Sequence, residues 1–193
     1  MPNTNSTPET HVLKRTVEFQ ETPNPQAYKF FWGEKITDTS LDVKSSDEAS
    51  VSPLATKIFG FPWTQSVYIG NDFVTIEKQD WVSWEVLAEP LANLIEEHLE
   101  RGEPIVLSTT AQAVEGEQSD LVEKIKWVLH NEIRPAVAVD GGDVEFISYT
   151  QGYLKIAMKG ACSGCPSSQI TLKEGIESHL KDLFPEIVSV DSL

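Results

Sequence analysis

Residues 159–168 read KGACSGCPSS, and this stretch is the most informative part of the chain for both structure and chemistry. It contains Cys162 and Cys165, the only two cysteines among 193 residues. The alternating apolar residues before it predict a strand, and Pro166 suits the first position of a following helix. Two thiols separated by two residues can converge on one metal centre or oxidise to a disulfide. The stretch therefore predicts a metal or redox site where a strand gives way to a helix.

The sequence around the cysteines predicts a small α+β domain with the order α-β-β-α-β. Apolar residues at helical spacing predict a first helix, with a capping box at Asp120 and Glu123, that stops before Pro135. Residues 143–159 read as a hairpin that delivers the cysteines to its end. A second helix follows them, and a short strand at 187–190 pairs with the hairpin. We expect one three-stranded sheet covered by two helices.

Composition indicates where the chain divides. Residues 1–10, rich in Pro, Asn, Ser and Thr, predict a disordered tail. Residues 11–103 combine β-prone patches with helical stretches, which predicts a first small α+β domain. Residues 104–118 show little periodicity, and we expect a linker there. The second domain then occupies residues 119–193.

Turn and capping residues predict the elements of the first domain. Strands are expected before residue 44, followed by a short helix that begins at Pro53 with Ser52 as its cap. Residues 70–72, Gly-Asn-Asp, predict the turn of a hairpin. A longer helix is expected behind Pro90, with Gly102 placed to end it. Both halves of the chain are therefore predicted to be α+β.

Composition also excludes several classes of function. The chain carries 15 Lys and Arg against 30 Asp and Glu, with no basic cluster, so it does not resemble a nucleic-acid-binding protein. No apolar run is long enough for a membrane span, so no membrane partner is expected. We find no nucleophile with its base and no phosphate-binding loop, so the sequence does not indicate an enzyme. With two cysteines and no secretory or transit signal, a cytoplasmic location is expected.

The residues alone leave three kinds of chemistry open at Cys162 and Cys165. A dithiol oxidoreductase uses such a pair at a helix start, where backbone amides lower the thiol pKa. A structural zinc site needs four ligands, and the histidines are isolated along the chain: His11, His98, His130 and His179. A cubane iron–sulfur cluster takes four thiolates, of which one chain supplies half. Two chains related by a two-fold axis would supply all four, which favours a cluster between subunits.

Several short motifs resemble those of a known family, the NifU-like (Nfu-type) iron–sulfur cluster scaffold and carrier proteins. In the second half they are RP at 134–135, DGGD at 140–143, GACSGCPSS at 160–168 and PEI at 185–187. The first half is similar to the N-terminal domain that accompanies this module in many family members. That similarity rests on TPNP at 22–25, SPLA at 52–55 and GNDFVT at 70–75. The resemblance therefore covers both predicted domains.

The resemblance implies a function for the two cysteines. Cys162 and Cys165 are expected to bind a labile 4Fe-4S cluster, or a 2Fe-2S cluster, that bridges a homodimer. The cluster would come from upstream assembly machinery and pass to apo iron–sulfur proteins. Asp140 and Asp143 of the family's Asp-Gly-Gly-Asp motif are expected to be structural, because two glycines between a helix and a strand make a tight connection. The alternatives are a dithiol/disulfide oxidoreductase and a zinc-bridged interaction module.

Overall fold

The chain folds into two α+β domains, each with its own sheet and its own hydrophobic core. This confirms the predicted fold class. The computed structural model describes residues 16–107, 119–163 and 166–193. The expected tail, most of the expected linker and Cys165 lie outside the described residues. Within those ranges no helix has the length and apolarity needed to cross a membrane.

The first domain is built on a five-stranded antiparallel sheet. Its strands are β1 (Glu18–Glu21), β2 (Ala27–Phe31), β3 (Leu41–Val43), β4 (Thr64–Ile69) and β5 (Phe73–Lys78). Their order across the sheet is β1-β2-β5-β4-β3. The predicted hairpin joins β4 to β5, and the Gly70 amide donates to the Phe73 carbonyl over 2.8 Å. The hairpin strands thus occupy the interior of the sheet, where they can contact layers on both faces.

Two helices cover one face of this sheet. A short 3-10 helix (Ala49–Val51) precedes α1 (Pro53–Phe59), and Ser52 caps α1 as predicted by accepting from the Ala55 amide. The second helix, α2 (Trp84–Glu100), begins six residues before Pro90, so the prediction that it starts behind this proline is wrong. Pro90 lies on the exposed side of α2, where water can take the place of the hydrogen bond that proline cannot make.

The second domain contains the predicted three-stranded sheet. Its strands are β6 (Gly142–Thr150), β7 (Tyr153–Gly160) and β8 (Ser189–Ser192). The strands β6 and β7 form an antiparallel hairpin, and β8 runs parallel to β7. Gln151 and Gly152 form the hairpin turn with φ angles of 50° and 90°, the left-handed pair that matches the twist of the strands. The last strand begins two residues later than the sequence predicts.

The first helical segment of the second domain passes through Pro135. It consists of α3 (Asp120–Val128), a π-helical turn (Leu129–Ile133) and α4 (Arg134–Val139). The prediction that the helix stops before Pro135 is wrong, because the wider π turn precedes the proline and Pro135 takes an early position of α4. The segment is capped by Ser119, which accepts from the Val122 amide over 3.3 Å, rather than by a capping box at Asp120.

The continued helix determines where the next turn lies. Because α4 runs on to Val139, the Asp-Gly-Gly-Asp motif follows it directly and leads into β6. The last helix, α5 (Pro166–Leu183), begins after the cysteine stretch, as predicted. Residues from the helices and the sheet form the core of this domain, including Ile125, Leu154 and Leu180, none of which is exposed to solvent.

The second domain packs against the free face of the first domain's sheet. Strand β5 is buried along its whole length. Val74 and Ile76 point into the core beneath the helices of the first domain. Thr75 and Glu77 point to the opposite face and are still only 2% and 7% exposed. The five-stranded sheet is therefore a middle layer between its own helices and the second domain.

Candidate metal-binding site around Cys162

Cys162 lies in the predicted loop between β7 and α5. Gly160 ends β7 with a positive φ of 63°, a conformation that glycine adopts without strain. The Ser163 amide donates to the Gly160 carbonyl over 3.0 Å, and the Ser163 hydroxyl donates to the same oxygen over 2.9 Å. The chain therefore turns sharply at Cys162. Cys165, the second predicted ligand, lies outside the described residues.

The Cys162 side chain is held against Gly142. Cys162 is 6% exposed and belongs to the core of the second domain. A Cβ atom added at Gly142 would lie 2.3 Å from the Cys162 Sγ atom and 3.1 Å from its Cβ atom. No side chain fits there, so only glycine allows the thiol to occupy this position. The second glycine of the Asp-Gly-Gly-Asp motif is thus a packing partner of the first predicted cysteine ligand.

The Asp-Gly-Gly-Asp turn is also bonded to the cysteine loop through its backbone. Gly142 pairs with Gly160 at the end of the β6–β7 ladder. The Gly141 carbonyl accepts from the Ala161 amide over 3.2 Å, one residue before Cys162. Gly141 itself has a φ of 75°, which permits the abrupt change from helix to strand. The turn and the cysteine loop therefore form one hydrogen-bonded unit.

Asp143 is engaged in hydrogen bonds within the fold. Its buried carboxylate accepts from the Tyr68 hydroxyl over 2.6 Å, from the Arg134 Nε atom over 2.6 Å and from the Val144 amide over 2.7 Å. Arg134 Nη2 completes a two-pronged ion pair at 2.5 Å. These contacts support the predicted structural role of Asp143. Asp140, by contrast, is exposed at the C-terminal end of α4.

The electrostatics of this array keep Tyr68 and Arg134 in their protonated forms. Burial raises the pKa of Tyr68 above its ordinary value, and the negative charge of Asp143 raises it further. The hydrogen bond to Asp143 raises the pKa of Arg134. Tyr68 is therefore a protonated donor and Arg134 a cation at all physiological pH values. The three side chains form a stable link between a strand of the first domain and the turn beside Cys162.

A groove of about 730 Å³ passes over Cys162. Apolar residues of the helical segment line one wall, including Ile133 and Val137, and Leu172 and Ile176 of α5 line the other. Pro23 of the first domain also lines the groove. The groove therefore gives the cysteine loop an apolar approach, bordered by both domains.

The three histidines in the described part of the chain have separate surroundings, and of these His179 lines the same groove as Cys162. His98 is fully buried in the first domain, with Nδ1 3.1 Å from the Lys57 Nζ atom. His130 lies near Arg134, and His179 is 2.8 Å from a carboxylate oxygen of Glu132. His11 is outside the described residues. Among those residues no three His, Cys, Asp or Glu side chains are grouped to hold a metal ion.

Sequence reasoning missed Tyr68, Thr75 and Lys29 as neighbours of the site. Tyr68 and Thr75 are directly paired across β4 and β5, and Thr75 is paired with Lys29 across β5 and β2. All three project from the sheet face that would be exposed to solvent if the first domain stood alone. Their alternation with core residues was the only signal available, and it does not reveal which surface covers that face.

Comparisons with known proteins match both domains. The protein-family model of the NifU-like domain matches residues 125–191. The family model of the scaffold protein Nfu/NifU N-terminal domain matches residues 17–102. The chain is 36% identical over 200 residues to the mitochondrial NFU1 iron–sulfur cluster scaffold homolog of Drosophila willistoni. That match covers 99% of this chain and 69% of the Drosophila protein. The chain belongs to the Nfu family.

A relative from a plant supports the same assignment. NifU-like protein 4 of Arabidopsis thaliana, also named as mitochondrial, is 37% identical over 183 residues, with 91% of this chain covered. The chain spans 65% of the length of that relative. A solution structure of a NifU-like protein from Saccharomyces cerevisiae matches with 27% identity and a TM-score of 0.46. It covers 56% of this chain and 97% of the yeast chain.

The names of these relatives correct one expectation. Both the Arabidopsis and the Drosophila proteins are named as mitochondrial. The prediction of a cytoplasmic location is therefore wrong by this comparison, because it is contradicted by relatives that are named as mitochondrial proteins. The absence of an arginine-rich segment at the start of the sequence was not a sufficient basis for the prediction.

Proposed function

We propose that this Nfu protein is a scaffold and carrier for iron–sulfur clusters and is not an enzyme. The observation that carries the proposal is the placement of Cys162 in a tight loop between β7 and α5, packed on the glycine turn of the NifU-like domain. The cluster is the cargo of the protein. Relatives are named as iron–sulfur cluster scaffolds, which supports the same role.

Cys162 and Cys165 are the proposed ligands. Two thiolates at the start of a helix are favoured by its unpaired amides and by the positive end of its dipole, which also stabilise an anionic cluster. A 4Fe-4S cluster takes four thiolates, and the chain has two cysteines. We infer that two copies of the chain share one 4Fe-4S cluster across a two-fold axis. A cluster held by two short loops at a subunit boundary is suited to transfer to apo iron–sulfur proteins.

The test is anaerobic reconstitution with iron and sulfide of the original chain, Cys162→Ser and Cys165→Ser. Each cysteine variant should lose cluster binding, because serine does not replace a thiolate ligand. Met158→Leu is the matched control, since it removes a buried sulfur atom beside the loop without removing a ligand. It should retain full iron content.

Two outcomes would replace the proposal. If the reconstituted chain stays colourless while its dithiol cycles substrate disulfides, the cysteines serve an oxidoreductase. If it retains zinc tightly and takes up no iron, they form a zinc-bridged interaction site. Transfer is tested separately by incubating the loaded protein with an apo ferredoxin-type acceptor and following the appearance of the acceptor's spectrum.

A further inference from the structure

One contact between the first domain and the cysteine loop passes through a backbone oxygen. The Gly141 carbonyl accepts from the Ala161 amide, next to Cys162, and also from the Thr75 hydroxyl over 2.6 Å. Thr75 lies in β5, on the sheet face that the second domain covers. A single carbonyl thus joins the first domain's sheet to the residue that precedes the proposed ligand.

Tyr68 makes the second connection and contacts both strands of the unit. Its hydroxyl donates to Asp143 over 2.6 Å at the start of β6. Its ring packs on Gly160 at the end of β7, where an added Cβ atom would lie 3.1 Å from Tyr68 Cδ1. Gly142, which packs against the Cys162 thiol, is the neighbour of Asp143 in β6 and is paired with Gly160 in β7. Tyr68 therefore fixes the turn and the strand end that together confine Cys162.

Further contacts extend around the loop. The Lys29 ammonium group donates to the Ala138 carbonyl at the end of α4 over 2.6 Å, where a cation suits the helix dipole. The Asn24 side chain donates to the Ala161 carbonyl over 3.4 Å, and the neighbouring Pro23 lines the same groove as Cys162. Four contacts between the domains are thus hydrogen bonds from polar side chains, those of Asn24, Lys29, Tyr68 and Thr75. Polar interfaces between domains are of the kind that can open.

We propose that the first domain is a cap on the cysteine loop and that Tyr68 is a positioning residue that acts on Cys162 through Asp143 and Gly142. While the domains are docked, the turn is fixed and Cys162 stays buried. The cap releases the loop when its contacts to the turn open, and the thiolate then reaches a centre shared with a second chain. The role of this motion in cluster binding rests on the proposed function. The contact between the first domain and the turn is observed independently of that function.

The test measures the rate at which iodoacetamide alkylates Cys162 in the full-length, metal-free chain, by peptide mass mapping. In Tyr68→Phe we expect an increase of about tenfold, because a hydrogen bond to a carboxylate contributes to docking. Thr75→Val, which removes the bond to Gly141, should give a smaller increase. The matched control is Tyr149→Phe, which removes a hydroxyl whose contact, to the Glu186 carbonyl, lies within the second domain. It should leave the rate unchanged.

Hydrogen exchange distinguishes release of the cap from general loosening. In Tyr68→Phe, exchange should increase at residues 138–144 and in β4 and β5, while the distant turn at 150–153 stays as protected as before. Equal alkylation rates in Tyr68→Phe and Tyr149→Phe would overturn the proposal. So would faster exchange throughout the second domain, including the distant turn. No cluster is present in either measurement, so a negative result here would overturn the cap without bearing on whether the chain binds a cluster.

Discussion

Gly142 and Cys162 are packed so closely that one methyl group at residue 142 would lie 2.3 Å from the thiol sulfur. The Asp-Gly-Gly-Asp motif is therefore part of the cysteine site, although neither of its glycines has a side chain to offer a ligand. The relationship explains how a glycine turn sets the position of a proposed ligand on the loop, although Gly142 precedes Cys162 by 20 residues in the chain.

The first prediction concerns this contact. Gly142→Ala should displace Cys162 and lower the free energy of unfolding by about 1–3 kcal/mol, the usual cost of overpacking a core. It should also reduce iron uptake during reconstitution. Denaturant unfolding and iron analysis measure the two effects. Gly175→Ala is the matched control, because a Cβ atom there has no neighbour within 4 Å and alanine favours the helix. If both variants behave alike, the packing account is wrong.

The second prediction concerns the ion pair behind the turn. Asp143→Asn should reduce the free energy of unfolding by about 2 kcal/mol, because it leaves the half-buried Arg134 charge without its carboxylate. Glu145→Gln is the control, since its bridge to Lys159 lies on a more exposed surface and should contribute less than about 1 kcal/mol. Urea unfolding compares the two. A loss in Asp143→Asn no larger than in the control would contradict the structural role of Asp143.

The third prediction concerns pH and the first domain. Burial lowers the pKa of His98 below its ordinary value of 6.5, and the Lys57 ammonium group lowers it further, while Glu103 opposes the shift. The unfolded chain therefore binds a proton at His98 before the folded chain does. Stability is complete above pH 6.5 and falls as the pH drops below it, by up to about 1.4 kcal/mol per pH unit.

Thermal unfolding between pH 7.5 and 5 tests this expectation. The folded chain lowers the pKa values of Glu103 and Glu177, so these carboxylates add a loss of stability only toward the acid end of the range, where the unfolded chain takes up their protons. His98→Gln should flatten the dependence, whereas His130→Gln, at an exposed position, should leave it unchanged. An equal slope in His98→Gln and in the original chain would show that another group controls the effect.

The cysteine loop was predictable from the sequence because its signals are local. Alternation before Cys162, Gly160 at the strand end and Pro166 at the helix start all act within a few residues, and the structure places the loop between β7 and α5. Pro135 shows the limit of such signals. Proline normally ends a helix, but a π turn precedes it here and the helical segment continues to Val139.

The contact between the domains was not predictable, for a different reason. Tyr68 and Thr75 occupy alternate positions of strands whose other face is apolar, a pattern that also describes a sheet with one face in water. Only the packing of the second domain shows that this face is covered. The sequence likewise indicates only a turn at Gly142. Nothing in it reveals that the Cys162 thiol occupies the space that a side chain at residue 142 would need.

The central claim is that one chain holds half of a cluster site. Native mass spectrometry of the anaerobically reconstituted protein tests it most directly, because the method counts chains, iron and sulfide in one species. The predicted result is a complex of two chains with one 4Fe-4S cluster that Cys162→Ser abolishes. A single chain carrying a complete 4Fe-4S cluster, or a dimer carrying zinc in place of iron, would contradict the claim.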